Sequence, residues 1–412
     1  MTLNTKNISI KIKLIGLFFL FLQIYCGPKG NLSEELLNAV IENNISKVET
    51  ILKKGAPINA KTGVDRKVIK NDLEIIIHQG STPLHIAILL SHIPIAKLLI
   101  ENNADLTILS PDDLTPLSMA SSKENFEIFK MLIEKNVDVN QKSKEGGTAL
   151  MSAIYFVNLP AVKILIEKNA DIDFQTENGW TPLLMASRWD NLEIAKFFLE
   201  KKVNVNAQIH CNNGKNNCSE KGQTALLFAT ENGNLELVNL LLENGADPNL
   251  ENKEGNPPLF IPLSTIYLKN SDEIIKTLLE HKANPNFIAK DVSKNPLLLL
   301  AIKRVPKDIV QMFLDFGAEV NSHNNLNETG LYIAVGEKNL DMCSLLIKYG
   351  ADVNLAKFGK TPLMAAAHNG SENMVKFLLS NNADKTLKDK SGSTALDYAK
   401  LGKHQKIIEI LE

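Results

Sequence analysis

The chain of 412 residues is short of the features that mark most biochemical classes. It has four cysteines, Cys26, Cys211, Cys218 and Cys343, far too few for the dense cross-linking that holds small secreted scaffolds together. It has no excess of either charge: 45 Lys and Arg face 47 Asp and Glu, a net of −2, so no general field draws in nucleic acid or an anionic membrane. No apolar run reaches the ~20 residues of a membrane-spanning helix. Catalytic phrases are missing as well: there is no HExxH, no GxSxG and no GxxxxGK[ST], since Gly214 and Lys215 lack the upstream glycine and the following hydroxyl. Of the eight histidines, His85 lies in a TPLH phrase and reads as structural, and the other seven are scattered. The expectation is a protein that is not an enzyme, carries no cofactor or metal, and binds no nucleic acid.

What is present begins at the N-terminus. Lys6, Lys11 and Lys13 precede an apolar run of twelve residues, Leu14 to Tyr25 (LIGLFFLFLQIY). That is the layout of a secretory signal peptide, here residues 1–25. As a helix the run spans about 18 Å, short of the ~30 Å of a hydrocarbon core. Cys26 follows directly, then Gly27 and a polar tether to residue 32. A cysteine in this place resembles the lipobox of bacterial lipoproteins, which implies lipidation of Cys26. Tyr25 and Gln23 depart from that pattern, where a small residue and a leucine are usual, and Leu22 stands one place too early. An ordinary cleaved signal is the alternative. Either way the expected location is outside the cytoplasm, anchored or periplasmic, with secretion as the other outcome.

From Ser33 onward one phrase returns: TPLHIA at Thr82, TPLSMA at Thr115, TALMSA at Thr148, TPLLMA at Thr181, TALLFA at Thr224, TPLMAA at Thr361 and TALDYA at Thr394. Weaker copies start at Pro257, Asn295 and Thr329, and SEELLNA at Ser33 is a degenerate first copy. Most steps between starts are close to 33 residues, with longer ones of 43 and 38 after Thr181 and Pro257. A second phrase follows most of them, such as NADL at Asn103, GADPN at Gly245 and GADVN at Gly350. Eleven repeats fill residues 33–412.

The paired phrases resemble the ankyrin repeat, whose motif runs roughly TPLHxAA and then LLLxxGADVN over 33 residues. The resemblance implies an all-α solenoid of helix-turn-helix units joined by β-hairpin-like turns. Each motif residue also has a task that stands without the family. Threonine caps helix A by accepting a free N–H, and proline occupies the first helical position, which needs no donor. The alanine at Ala87, Ala120, Ala153, Ala186, Ala229, Ala334, Ala366 and Ala399 permits close helix approach. Leu237, Val238, Leu241 and Leu242 show the helical spacing of the apolar face of helix B. Gly or Asn then stands where the chain turns left-handed. Lys202 and Lys282 break that rule, so those two helices are expected to end less cleanly. Eleven repeats stacked about 10 Å apart would make a curved rod on the order of 100 Å long.

Insertions at residues 61–80 and 207–222 interrupt the period, and about four residues near Tyr267 to Ser271 lengthen a third turn. Leu73 to Ile77 reads as a strand or a short helix. Cys211 and Cys218 enclose CNNGKNNC. In an exported protein that loop is expected to close as a disulfide. A zinc site with His210 fails on spacing and lacks a fourth ligand. Cys343 reads as a small core residue. Recurrent Asp105, Asp138, Asp171, Asp247 and Asp352 read as turn-satisfying rather than calcium-binding.

The positions before Thr and after the alanine vary most in ankyrin proteins and line their concave face. In the repeat at Thr181 they hold Trp180, Arg188 and Trp189, and in the preceding repeat Tyr155 and Phe156. Trp, Tyr and Arg dominate binding hot spots. These five residues are the expected centre of a partner-binding patch beside the cysteine loop, with packing of the rings onto neighbouring helices or the loop as the bland reading. The expected function is a non-catalytic protein-interaction scaffold with a protein partner of unknown identity, touching the membrane only through Cys26. A stoichiometric regulator or inhibitor of a partner enzyme, or a secreted effector acting on host proteins, are the alternatives.

Overall fold

The computed structural model describes residues 31–144, 146–210, 220–265, 267–290, 294–356 and 358–412. The signal peptide, Cys26, Cys211 and Cys218 therefore lie outside the described residues. The chain divides into two compact bodies, one ending at Asp171 and the other running Ile172–Glu412.

Among the described residues there are 22 helices, from Leu32–Ile41 to Gln405–Leu411, and they come as antiparallel pairs. Helix A begins where the sequence phrase places it. Thr115 Oγ1 accepts the N–H of Ser118 at 3.0 Å, Thr181 Oγ1 that of Leu184 at 3.2 Å and Thr224 Oγ1 that of Leu227 at 3.1 Å. Each cap of this kind contributes about 1 kcal/mol. Where the phrase decays, so does the cap: helices Phe260–Ser264 and Leu297–Arg304 start at Leu259 and Pro296 with no side-chain acceptor. All eight motif alanines are fully buried, as is Ala301 in a weak copy. Helix B supplies the bulk of the core, for example Ile194, Phe198 and Leu199, or Leu237, Val238 and Leu241. Burying each such side chain is worth roughly 1.5–3 kcal/mol. Within each body helix A packs on its own helix B and on neighbouring A helices.

The left-handed turn after helix B occurs at Gly55, Asn103, Asn136, Asn169, Gly245, Gly317, Gly350 and Asn382, and equally at Lys202 and Lys282. The expectation that the two lysine-ended helices close less cleanly is corrected at Lys282; Lys202 takes the same left-handed conformation, and its N–H reaches Leu199 O at 3.0 Å without a second closing bond among the described residues. Lys202 has φ 58° and Lys282 φ 69°. The Lys282 N–H reaches Leu279 O at 3.0 Å and the Ala283 N–H reaches Leu278 O at 2.9 Å, the same closure as elsewhere. The fixed position of the next turn imposes the conformation, and lysine bears a strain of about 1–2 kcal/mol.

Between repeats the chain makes short hairpin-like fingers. Thr176 N–H donates to Trp180 O at 3.0 Å, Asn252 to Asn256 O at 3.0 Å and Asp389 to Ser393 O at 3.0 Å. Asp105, Asp138, Asp247 and Asp352 each accept the N–H two residues on, at 2.8 to 2.9 Å. The asparagine that ends the GADVN phrase does more. Asn249 Oδ1 accepts the N–H of Asn284 at 2.7 Å while its Nδ2 donates to Lys282 O at 3.1 Å, and Asn286, Asn321 and Asn354 repeat the pattern. These amides tie each finger base to the next, a role the sequence did not announce.

The insertion at 61–80 forms an antiparallel hairpin of β1 (Arg66–Lys70) and β2 (Leu73–Ile77), with Val68 opposite Ile75. Asn71 and Asp72 turn it with positive φ. Arg66 bonds Glu34 and Asn38 of helix Leu32–Ile41, and Lys70 bonds the carbonyl of Leu90, so the hairpin is fastened to the first two repeats. No helix among the described residues is long and apolar enough to cross a membrane.

Candidate functional site

The repeat at Thr181 places its variable residues as follows. Trp180 ends the finger that Gly179 turns with φ 85°, and its N–H is held by Thr176 Oγ1 at 3.0 Å. A side chain at Gly179 would meet the backbone of His210 at 2.8 Å, so only glycine lets the second insertion lie against this finger. His210 donates its N–H to Asn178 O at 2.9 Å. The insertion is also pinned at its base by Ile209 N–H to Gln223 O at 3.1 Å, and Ile209 is buried.

The Trp180 ring is half-buried and lies nearly parallel to Phe228 of helix Ala225–Glu231, centroids 5.8 Å apart and planes 11° apart. Trp189, at the end of helix Pro182–Arg188, meets it edge-on at 6.1 Å and is 45% exposed. Arg188 stands 5.7 Å from both the Trp189 and Phe228 rings, and its Nε donates to Glu220 Oε1 at 2.9 Å. Three aromatic rings and one guanidinium thus form a single cluster. Trp180 is its floor rather than a free contact, and Trp189 with Arg188 is its exposed rim. Behind it Gln223 donates to Glu231 at 2.7 Å, and burial pushes the Glu231 carboxyl above the usual range.

Tyr155 and Phe156 belong to the other body. They meet edge-on at 5.3 Å and are 54% and 41% exposed at the end of helix Ala149–Tyr155. They form an aromatic pair of their own.

Phe228 and Glu220 were missed by sequence reasoning. Phe228 was legible: it occupies the fifth place of TALLFA, where other repeats carry Ile86, Met119 or Ser152, and only Tyr398 of TALDYA is a ring at the same place. Glu220 gave no signal, because its meeting with Arg188 depends on the path of a loop. His85 has a structural place. Its Nδ1 accepts the Thr82 N–H at 3.2 Å, which leaves Nε2 to donate to Ile108 O at 2.9 Å, and burial lowers its pKa. Cys343 is fully buried, and burial pushes its thiol up to about 12.

The helix pairs, fingers and asparagine ties recur over nearly the whole chain, and a family model described as Ankyrin repeats (3 copies) matches residues 36–143, 117–209, 207–289, 265–357, 298–389 and 354–412. The chain is an ankyrin-repeat protein. Such repeats generally serve as protein-interaction scaffolds and are typically non-catalytic. This ankyrin-repeat chain is 29% identical over 120 residues to a Transient receptor potential cation channel subfamily A member 1 homolog of Caenorhabditis elegans, covering 29% of the chain and 10% of the relative. It is 30% identical over 148 residues to Putative ankyrin repeat protein L371 of Acanthamoeba polyphaga mimivirus, 35% of the chain and 19% of the relative. It is 36% identical over 104 residues to Ankyrin repeat and SOCS box protein 16 of Homo sapiens, 25% of the chain and 23% of the relative. The matched segments span under a quarter of each of these relatives.

Proposed function

We propose that this ankyrin-repeat protein holds a partner protein on a non-catalytic surface whose centre is the exposed rim of Trp189 and Arg188. The observation that supports this reading is the clustering of Trp180, Trp189, Phe228 and Arg188 around ring contacts of 5.7 to 6.1 Å, with one tryptophan left partly in water. Aromatic rings fixed by packing lose little entropy on binding, which suits them to anchor a partner. Arg188 is held in place by Glu220, so its exposed edge is oriented before contact. Tyr155 and Phe156 offer a second aromatic contact of the same chemistry on the other body. The test is a photo-crosslinking residue placed at position 189 in cells. A discrete adduct that disappears when Arg188 is changed to Ala supports the reading; no adduct above that formed from an exposed control position such as Lys338 refutes it.

The proposal extends to location. Lys6, Lys11, Lys13 and the run Leu14–Tyr25 support export, and Cys26 supports an acyl anchor. In the exported protein Cys211 and Cys218 would close the loop as a disulfide. Metabolic labelling with a fatty-acid analogue, with Cys26→Ser as the comparison, tests the anchor. Label retained in the variant, or absent from the unaltered chain, refutes it.

A further inference from the structure

The geometry points to a second binding place, far along the chain from Trp189: a pocket in the C-terminal body that takes an acidic side chain of a partner polypeptide. It is a concavity of about 420 Å³ walled by Tyr332, Phe358, Lys360, Asp389, Lys390 and Tyr398. That volume lies within the usual range for ligand sites.

The walls are built with strain. Most fingers in this body turn on one residue of positive φ, as at Gly179, Gly222, Gly255 and Gly392. The finger beside the pocket uses two in succession, Phe358 at φ 51° and Gly359 at φ 91°. A bulky residue rarely adopts that conformation, and here it turns a ring that is 48% exposed toward the opening. Gly359 is required for a separate reason. A side chain there would meet Lys390 N at 3.2 Å and Lys390 Cγ at 3.3 Å, so the glycine lets the two fingers close on each other and form one rim.

The charges decide what the pocket accepts. The Lys360 ammonium lies 4.2 Å from the Tyr398 ring centroid and that of Lys390 lies 5.7 Å from Phe358. Neither makes an ion pair with a carboxylate among the described residues. The acid in the wall is already engaged: Asp389 accepts from Tyr398 Oη at 2.6 Å, from Ser391 N and Oγ at 2.8 and 2.7 Å, and from Ser393 N at 2.9 Å. Those bonds hold its carboxyl well below the usual range and lift the Tyr398 phenol to about 12. Asp397, on the same helix as Tyr398, is bound to the N–H and hydroxyl of Thr394. His368 meets Tyr398 edge-on at 5.8 Å. The neutral donors around Asp389 leave it ionised, so the wall carries two ammonium groups against one carboxylate, a net positive charge above an aromatic floor, and a cation entering would find the ring faces already occupied by lysines. An anion entering replaces two weak cation–ring contacts with charge-assisted bonds.

The test uses the full chain and rhodamine-labelled hexaglutamate, with hexaglutamine and hexalysine as controls, followed by fluorescence anisotropy. Hexaglutamate is expected to bind with an affinity that falls as salt rises, and hexaglutamine is expected not to bind. The double variant Lys360→Gln, Lys390→Gln should lose at least about tenfold in affinity while keeping its circular dichroism. Lys403→Gln and Trp189→Ala should leave binding unchanged, which separates this pocket from the surface proposed above. The inference is overturned if hexaglutamate does not bind, if the double variant binds it as well as the unaltered chain, or if hexalysine binds in preference.

Discussion

Asn249 and Lys282 are joined across two successive repeats, the asparagine amide donating to the lysine carbonyl at 3.1 Å. Lys282 is also one of the two residues forced into the left-handed turn without being Gly or Asn. The strained residue is therefore tied down by the repeat before it. Lys202 differs, because the corresponding position before it is Asp173, whose carboxylate accepts the Asn204 N–H at 3.2 Å and has no hydrogen to offer the Lys202 carbonyl.

Removing the tie should be felt. Asn249→Ala is expected to lower stability by about 1–2 kcal/mol, since it deletes two hydrogen bonds near the surface. Lys202→Gly and Lys282→Gly are expected to raise it by about 1 kcal/mol each, because glycine takes positive φ without strain. Urea denaturation with unchanged slopes checks all three. A destabilising glycine at position 282 would show that the turn carries no strain.

The two tryptophans should separate on stability. Trp180→Ala removes a half-buried ring stacked on Phe228 and is expected to cost about 2–3 kcal/mol. Trp189→Ala removes a ring that is 45% exposed and is expected to cost under about 1 kcal/mol. Thermal unfolding compares them. Equal losses would mean that Trp189 is as structural as Trp180.

Acid should loosen the repeats around His85. Its pKa is lowered by burial, so the folded chain prefers the neutral ring and the unfolded chain takes up a proton first. The stability His85 contributes is then fully present above the ordinary value near 6.5 and declines as pH falls below it. His92 is lowered for the same reason and adds in the same direction. Glu231 acts in the opposite sense. Its raised pKa favours the protonated form in the folded chain, so stability grows as pH falls through that raised value toward the ordinary carboxylate range. Unfolding titrations of His85→Gln and Glu231→Gln should flatten the two slopes separately.

The thiol at Cys343 should be inert until the chain opens. It is fully buried and its pKa stands at about 12, so almost no thiolate exists at neutral pH. Iodoacetamide labelling read by mass spectrometry at the Cys343 peptide is expected only in denaturant. Labelling in the native protein at a rate near that of a free thiol would place the residue outside the core.

The repeats were readable from sequence because each depends on local chemistry. Thr181 caps whatever helix follows it, Ala186 is small wherever it sits, and Gly245 turns left-handed on its own account. The family and the helix pairs follow from such residues, which recur at one spacing along the chain. Lys282 was misjudged for the converse reason: its own preference points away from the turn, and the packing of the next repeat overrules it.

The sites divide along the same line. The sequence picked out Trp180, Arg188 and Trp189 by residue type and place, but not that Phe228 carries one tryptophan or that Glu220 fixes the arginine. The pocket between Phe358, Lys390 and Tyr398 left no trace in the sequence, because its residues come from three repeats and each is ordinary alone. What the sequence determined by itself was the repeating scaffold, since helix caps, small contacts and turns act over a few residues. What only the tertiary structure decided was which side chains share a surface, since that depends on how separate fingers and helices are brought within a few ångströms of one another.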